Sequence, residues 1–459
     1  MNRTIGVYLG DAGLRVGILR FATEGNREAA SFAYDEQWLT NSARFSIDPA
    51  LPLIRGPQYH RKSGTQHDSV FFGAIADTEA DGWGRRIIVR NRIKQPKKQG
   101  AKNKAPLNSL DFLLAVDDFS RVGALRFRDE AGNFIQGALP GQRKAPPLVD
   151  LRHLLAASRA VEQNRESAAD LEFLLGRGTS LAGLRPKCSV VDEDGTLSVC
   201  KFPSLGDTRA VTKGEVLALR LATLAGIHAA EARVVYSEDK PITLARRFDR
   251  VGPKRRMYIS ARTLLQVNDD DDHAYTEIVE GIRAHGHSVA ADLEELWRRL
   301  VYNILITNVD DHLNNHGFLH VVHGKWALSP AFDINPFPDK ARVLTTWIDE
   351  ESGPDASIEV ALSAARYFGL RNTRTKEILG EVVRAVGRWK RVAVGPDIRM
   401  STQEVDQFAD AFEHPERKTA RAACFPLARS TSCESPTSTS GARKTDEDQP
   451  TKHTEHEQN

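Results

Sequence analysis

Apolar and polar positions alternate with a period of two over residues 4–9 and 14–21, on either side of Gly10-Asp11-Ala12-Gly13. That pattern predicts a β-hairpin, and Ala30–Tyr34 adds a further strand. A helix is expected to start near Asp81, in Asp81-Gly82-Trp83-Gly84-Arg85-Arg86, with Trp83 as its buried anchor. Residues 107–116 read as helix, Arg121–Phe127 as strand and Leu148–Leu175 as one helical stretch. Lys187–Val191 and Thr196–Lys201 predict a second hairpin about Asp192–Gly195. A helix follows with Leu217, Leu221 and Leu224 on one stripe and Gly226 closing it. Ile242–Arg250 is then strand-like. The strongest amphipathic signal lies at Leu293, Leu296, Trp297, Leu300, Val301, Ile304 and Leu305, with Glu294, Glu295, Arg298 and Arg299 expected to face away. Such a helix would present Asn308–Asn315 at its end. Ile358–Phe368 and Lys376–Val394 continue the helical pattern.

This succession predicts a two-lobed α+β chain. Pro140 and Pro146-Pro147 mark a boundary, giving a β-rich N-terminal subdomain over residues 1–147. Residues 148–250 form a smaller lobe, 251–425 an all-α C-terminal lobe, and 426–459 a polar tail expected to be disordered. The net charge of +2 does not argue for nucleic acid or an anionic membrane, so any basic surface must be local. One cationic run, Lys94 to Lys104, reads as a solvated link or as a phosphate-contacting arm. No apolar run approaches the roughly 20 residues of a membrane helix, so no membrane partner is expected. The start of the chain lacks a signal-peptide pattern, and a cytoplasmic location is expected. Cys188, Cys200, Cys424 and Cys433 have no metal-binding spacing. Asp269–His273 is expected to be a solvated acidic loop rather than a cation site.

The candidate chemistry is spread along the chain. Gly176-Arg177-Gly178-Thr179-Ser180-Leu181-Ala182-Gly183-Leu184-Arg185-Pro186-Lys187 is rich in glycine and hydroxyls and precedes a strand. Its backbone N–H groups could converge on phosphate oxygens, although the Gly-Lys-Ser/Thr of a Walker A loop is absent. Lys201 shares a strand face with Leu197 and Val199, where an ammonium either snorkels to solvent or holds nucleotide phosphates. Glu215 either pairs with Lys201 or closes a capping box with Thr212. Arg246–Phe248 would lie where an adenine meets backbone groups. Asp310, then Asn315 five residues on, then Asp333 in Ala331-Phe332-Asp333-Ile334-Asn335-Pro336, is the order in which kinases supply a base and two magnesium ligands. Asp310 is thus the expected base, Asn315 and Asp333 the expected Mg2+ ligands, and the two-lobed fold is expected to be protein-kinase-like. His312 would contact the transferred phosphate, hold Asp310, or make a structural hydrogen bond. Asp311 and His316 are expected to be structural.

Three stretches resemble the HipA family, the serine/threonine kinase toxins of HipBA toxin–antitoxin modules. They are Val7–Gly10 with Asp81–Arg86, Ser180–Lys187, and Asn308–Phe318 with Leu328–Pro336. The resemblance covers roughly residues 4 to 400. It implies ATP contacts at Ala182, Gly183, Leu184, Arg185, Pro186, Lys187, Lys201, Arg246, Arg247, Phe248, His312, Leu313, Asn314, Asn315, Phe332 and Asp333, with Asp310 as proton acceptor. It further implies autophosphorylation at Ser180, which would eject the loop and silence the enzyme. The implied partners are a protein substrate of the aminoacyl-tRNA synthetase class and a HipB-like helix-turn-helix antitoxin that carries the complex to operator DNA. Asn314 departs from the family, standing where many members have lysine, and the tail after residue 428 has no counterpart. Two other readings are an antitoxin-bound corepressor with weak catalysis and a lipid or small-molecule kinase, the latter disfavoured because no lipid-binding surface is visible.

Overall fold

The computed structural model describes residues 2–60, 69–95, 106–137, 146–175, 183–268 and 271–424. The period-two segments at the start form an antiparallel sheet of β1 (Asn2–Leu9), β2 (Leu14–Glu24), β3 (Arg27–Tyr34), β4 (Gln58–Tyr59) and β5 (Leu125–Arg128), in the order β4-β3-β2-β1-β5. The first two strands turn at Gly10–Gly13 as expected. Ile5, Val7, Leu19, Phe21 and Phe32 bury one face of the sheet.

The strand expected from Arg121 begins only at Leu125. Arg121 is fully buried and donates to the carbonyls of Thr78 (3.0 Å), Leu113 (3.0 Å) and Val116 (2.8 Å). Two of these belong to the end of the Ser109–Ala115 helix, where carbonyls lack intrahelical donors. A guanidinium that serves a helix end holds its own backbone in a turn, Arg121 N–H donating to Asp117 O.

A second antiparallel sheet contains β6 (Lys187–Val191), β7 (Leu197–Lys201), β8 (Ala232–Ser237) and β9 (Lys240–Arg246), in the order β6-β7-β9-β8. Its register sets Lys187 opposite Lys201. One face packs on helices Leu151–Glu162 and Ala168–Leu175, which are two elements rather than the single stretch expected; Asn164, at φ +57°, separates them. The Gly82–Lys94 helix joins the same core, burying Trp83 and Ile87 among Leu154, Leu171, Val190 and Cys200. Although it precedes residue 147, this helix therefore shares a core with the smaller lobe.

In the C-terminal lobe the Val289–Ile306 helix is central, contacted by helices Tyr275–His285, Ile358–Ala364, Asn372–Val386 and Thr402–Phe412. Two expectations need correction. Arg298 and Arg299 do not face solvent: Arg298 bonds Ala225 O and Glu381, and Arg299 bonds Glu295 and Ser329 O, so both charges are compensated inside. The lobe is also not all-α, because Tyr258–Ser260, Gly317–Val322 and Lys325–Leu328 form a three-stranded antiparallel sheet. That sheet carries the chain from Asn315 back to Asp333.

Arg121→Met is expected to leave three buried carbonyls without that donor and to lower stability by about 3 kcal/mol or more, at roughly 1–3 kcal/mol for each lost partner. Urea denaturation followed by fluorescence checks it, and a midpoint equal to that of the wild type would contradict the role given to this side chain.

Candidate active site

The two lobes and the N-terminal subdomain enclose a cavity of about 770 Å³. Its apolar wall is built from Val199, Ala230, Ala245, Phe248 and Phe332, and its polar wall from Lys187, Lys201, Glu215, Asn315 and Asp333. The rings of Phe248 and Phe332 lie 5.3 Å apart, tilted by 45° to each other, and make one end of the cleft aromatic.

Lys201 joins the polar groups. It leaves the end of β7, and its Nζ lies 2.5 Å from Glu215 Oε1 and 2.6 Å from Asp333 Oδ1. Burial opposes its charge, but Asp333 and Glu215 outweigh that and hold the ammonium above its ordinary range. Burial likewise opposes the Asp333 carboxylate, and Lys201 with Lys187 keeps it well below the usual carboxylate range. For Glu215 burial prevails over Lys201 and pushes the acid up. Lys187 is buried against Gly183, and burial brings its ammonium down to about 8.

The capping-box reading of Glu215 fails. The Val211–Leu224 helix has Ala210 as its N-cap with no side-chain bond, while Thr212 donates to Pro241 O. Glu215 is free for Lys201 because the helix start is held otherwise. Lys213 bonds both carboxylate oxygens of Glu404, at 2.9 and 2.8 Å, and Arg399 O at 3.0 Å. Tyr302 OH donates to Ala218 O farther along the same helix.

The loop after the central helix is built on Asp311. This carboxylate is buried and accepts from Tyr275 OH, Asn303 Nδ2 (2.9 Å) and His316 Nε2 (3.0 Å). Burial works against its charge, yet His316 and these donors hold it below the usual range. Asp310 is left pointing outward, its side chain 55% exposed and 3.7 Å from Lys340. Asn315 donates its amide to Asp310 O at 3.0 Å, so its own carbonyl oxygen is the group left for a ligand on the cavity wall. Asn308 Oδ1 accepts from Asn335 N–H (3.1 Å), tying this loop to the Asp333 segment. Asp333 itself has φ +54°, a left-handed conformation costly for a non-glycine residue, held by Lys201 and by Asn335 Nδ2 at 3.0 Å.

Not every expected contact gathers at the cleft. Lys187, Lys201, Arg246, Arg247, Phe248, Asn314, Asn315, Phe332 and Asp333 line it. Leu313 is instead buried in the core, and Leu184 is exposed. Arg185 spends its guanidinium on Asp207, at 2.8 and 2.5 Å, and Arg247 spends its own on Asp249 and Ser120 O. His312 does not line the cavity, and its Nδ1 is buried without a hydrogen-bond partner. Ser180 and Ala182 lie outside the described residues, as do Asp269, Asp270 and the residues of the lysine-rich link from 96 to 105. The N-terminal subdomain supplies Asp77, Glu79, Asp81 and Arg85 to the wall. Asp81 and Arg85 stood in a stretch with a sequence signal, and Asp77 and Glu79 did not. Among the described residues no group of three or more His, Cys, Asp or Glu side chains could hold a metal ion. Asn315 and Asp333 nonetheless offer hard oxygen donors on one cavity wall, which suits magnesium with retained waters. No helix of the described residues is long and apolar enough to cross a membrane.

Residues 179–389 match the family model of the HipA-like C-terminal domain. The chain is similar in structure to HipA of Shewanella oneidensis MR-1, solved with HipB and its operator DNA, at 17% identity and a TM-score of 0.63. That match covers 92% of this chain and 96% of the other, and at this identity it speaks for the fold. A match to the Helicobacter pylori proinflammatory kinase CtkA has 14% identity and a TM-score of 0.40, over 52% of this chain and 90% of that one, too loose a superposition to bear on the site. No curated protein sequence matches the chain. The two-lobed, kinase-like architecture and the matched region agree: residues 179–389 match the HipA-like C-terminal domain, and the chain shares its fold with the Shewanella HipA over 92% of its length.

Proposed function

We propose that this protein is an ATP-dependent serine/threonine protein kinase and the toxin of a toxin–antitoxin pair. The observation that carries the reading is Lys201 held between Glu215 and Asp333 in a cleft whose other end is apolar and aromatic. In that cleft Phe248, Phe332, Val199 and Ala245 would sandwich an adenine, while Lys201 and Lys187 face its phosphates. Asn315 and Asp333 would hold magnesium, which neutralises phosphate charge when bound. Asp310, outward-facing and set apart from the buried Asp311, would accept the proton of a hydroxyl on an incoming protein. His312, beside it in the loop, would hold Asp310 or the transferred phosphate. Ser180 is the proposed autophosphorylation site, where new negative charge would compete with nucleotide phosphates. The substrate class is that implied by the family, an aminoacyl-tRNA synthetase. A HipB-like antitoxin and, through it, operator DNA are the proposed partners, supported by the complex in which the similar Shewanella protein was solved. That complex also favours a second reading, a DNA-bound corepressor with little catalysis.

Phosphate transfer from labelled ATP separates the two. Asp310→Asn is expected to cut incorporation by about 10²–10⁴-fold, and Asp333→Asn to abolish it. Wild-type protein that incorporates no phosphate with Mg-ATP, and shows no ATP-induced thermal shift, refutes the kinase reading.

ATP affinity should also depend on pH. The Lys187 ammonium, brought down to about 8 by burial, is charged below that pH and neutral above it. Binding a polyanion favours the charged form, so affinity is full below pH 8 and falls as pH rises, by at most about tenfold per unit. Titration calorimetry from pH 6.5 to 9.5 checks this, and Lys187→Met should flatten the slope.

A further inference from the structure

The Gly82–Lys94 helix starts against the phosphate loop. The N–H groups of its first two residues are both taken, one by the preceding side chain and one by the loop. Asp81 Oδ1 accepts from Gly82 N–H at 2.7 Å, and Gly183 O accepts from Trp83 N–H at 2.9 Å. The contact between the two backbones is close. Gly82 has φ +40°, and a Cβ placed on it would stand 2.5 Å from Gly183 O, 2.6 Å from Gly183 C and 3.1 Å from Leu184 N. All three are backbone atoms, with no flexible side chain to yield. Gly183 in turn has φ +100°, and a Cβ there would run into Lys187 Nζ. Two glycines therefore stack the helix start, the loop backbone and the buried ammonium in successive layers.

The outer layer is fixed. Trp83 is buried in the core of the smaller lobe with Ile87, Val190 and Cys200, so the helix start cannot follow a loop that drifts. Asp81 lines the cavity as well. We propose that the Asp81-Gly82-Trp83 turn is a latch that positions Gly183 over Lys187, so that the N-terminal subdomain sets affinity for the phosphates of the nucleotide. These are positioning residues, and the proposal rests on the nucleotide-binding reading given above.

The latch acts on phosphates and leaves the base alone, which gives the test its contrast. Affinities of the full chain for Mg-ATP and for adenosine are measured by calorimetry in wild type, Gly82→Ala and Gly132→Ala. Gly132 is the control, since it also has a positive φ (+84°) but nothing within 4 Å of its Cβ position. Gly82→Ala is expected to weaken ATP about tenfold, the loss of roughly one backbone hydrogen bond, with adenosine changed less than twofold and Gly132→Ala unchanged for both. Equal weakening of ATP and adenosine, or no weakening, overturns the latch. Should Gly82→Ala fail to fold, hydrogen exchange on the wild type decides: ATP, unlike adenosine, should slow exchange of the Trp83 amide, because coupling between two sites is reciprocal. Equal exchange with both ligands overturns the proposal. Wild type that binds adenosine and ATP equally overturns the latch while leaving a nucleoside site, whereas wild type that binds neither overturns the nucleotide reading and the latch with it.

Discussion

One buried ammonium holds the cleft in shape. Lys201 comes from a strand of the smaller lobe, Glu215 from the helix behind it and Asp333 from the other lobe, 132 positions along the chain from the lysine. Breaking such a pair from one side is far more damaging than never having had it, because the partner charge is left in low dielectric. Without Lys201, Glu215 and Asp333 would face each other with Lys187 alone to offset their charges, and the strained backbone of Asp333 would lose one of its two side-chain restraints. The same contact therefore serves as a lobe-to-lobe bond and as the polar floor of the cavity. Lys187 supplies the second positive charge, so two ammonium groups meet two carboxylates before any ligand is counted.

Around that floor the charges divide by depth. Asp310 and Asp311 are adjacent in sequence and opposite in situation. Asp311 is sealed in by Tyr275, Asn303 and His316 and stabilises the loop. Asp310 is turned to solvent by the rigidity this gives. A pair of consecutive acids on an unsupported loop would share one environment; here one holds the loop and the other is left for chemistry.

Much of this was legible in the sequence, and what was not has a physical pattern. The central helix, both hairpins and the order of Lys201, Asp310, Asn315 and Asp333 follow from periodicity and spacing, which are local. The errors concern partners far away in the chain. Arg298 and Arg299 sit on the polar stripe by spacing, and their burial is made tolerable by Glu295 on the same helix together with the distant Glu381, Ala225 O and Ser329 O. Arg121 lies in a strand-like run, but the carbonyls it serves are up to 43 positions away. Glu215 fitted a capping box and an ion pair equally well until Lys213 and Thr212 were seen to hold the helix start without it. Leu313 is buried in the core although its neighbours Asn314 and Asn315 line the cavity, a fact of tertiary packing that the motif does not encode.

The grip of Glu404 on Lys213 bears on how the protein comes into being. The helix that carries Glu215 is pinned by a side chain nearly 190 residues downstream. While the chain is emerging from the ribosome, the strand lysine and the helix glutamate are made first, and the residue that steadies the helix follows 191 positions after Lys213. No shortened product that stops before residue 404 can contain this brace.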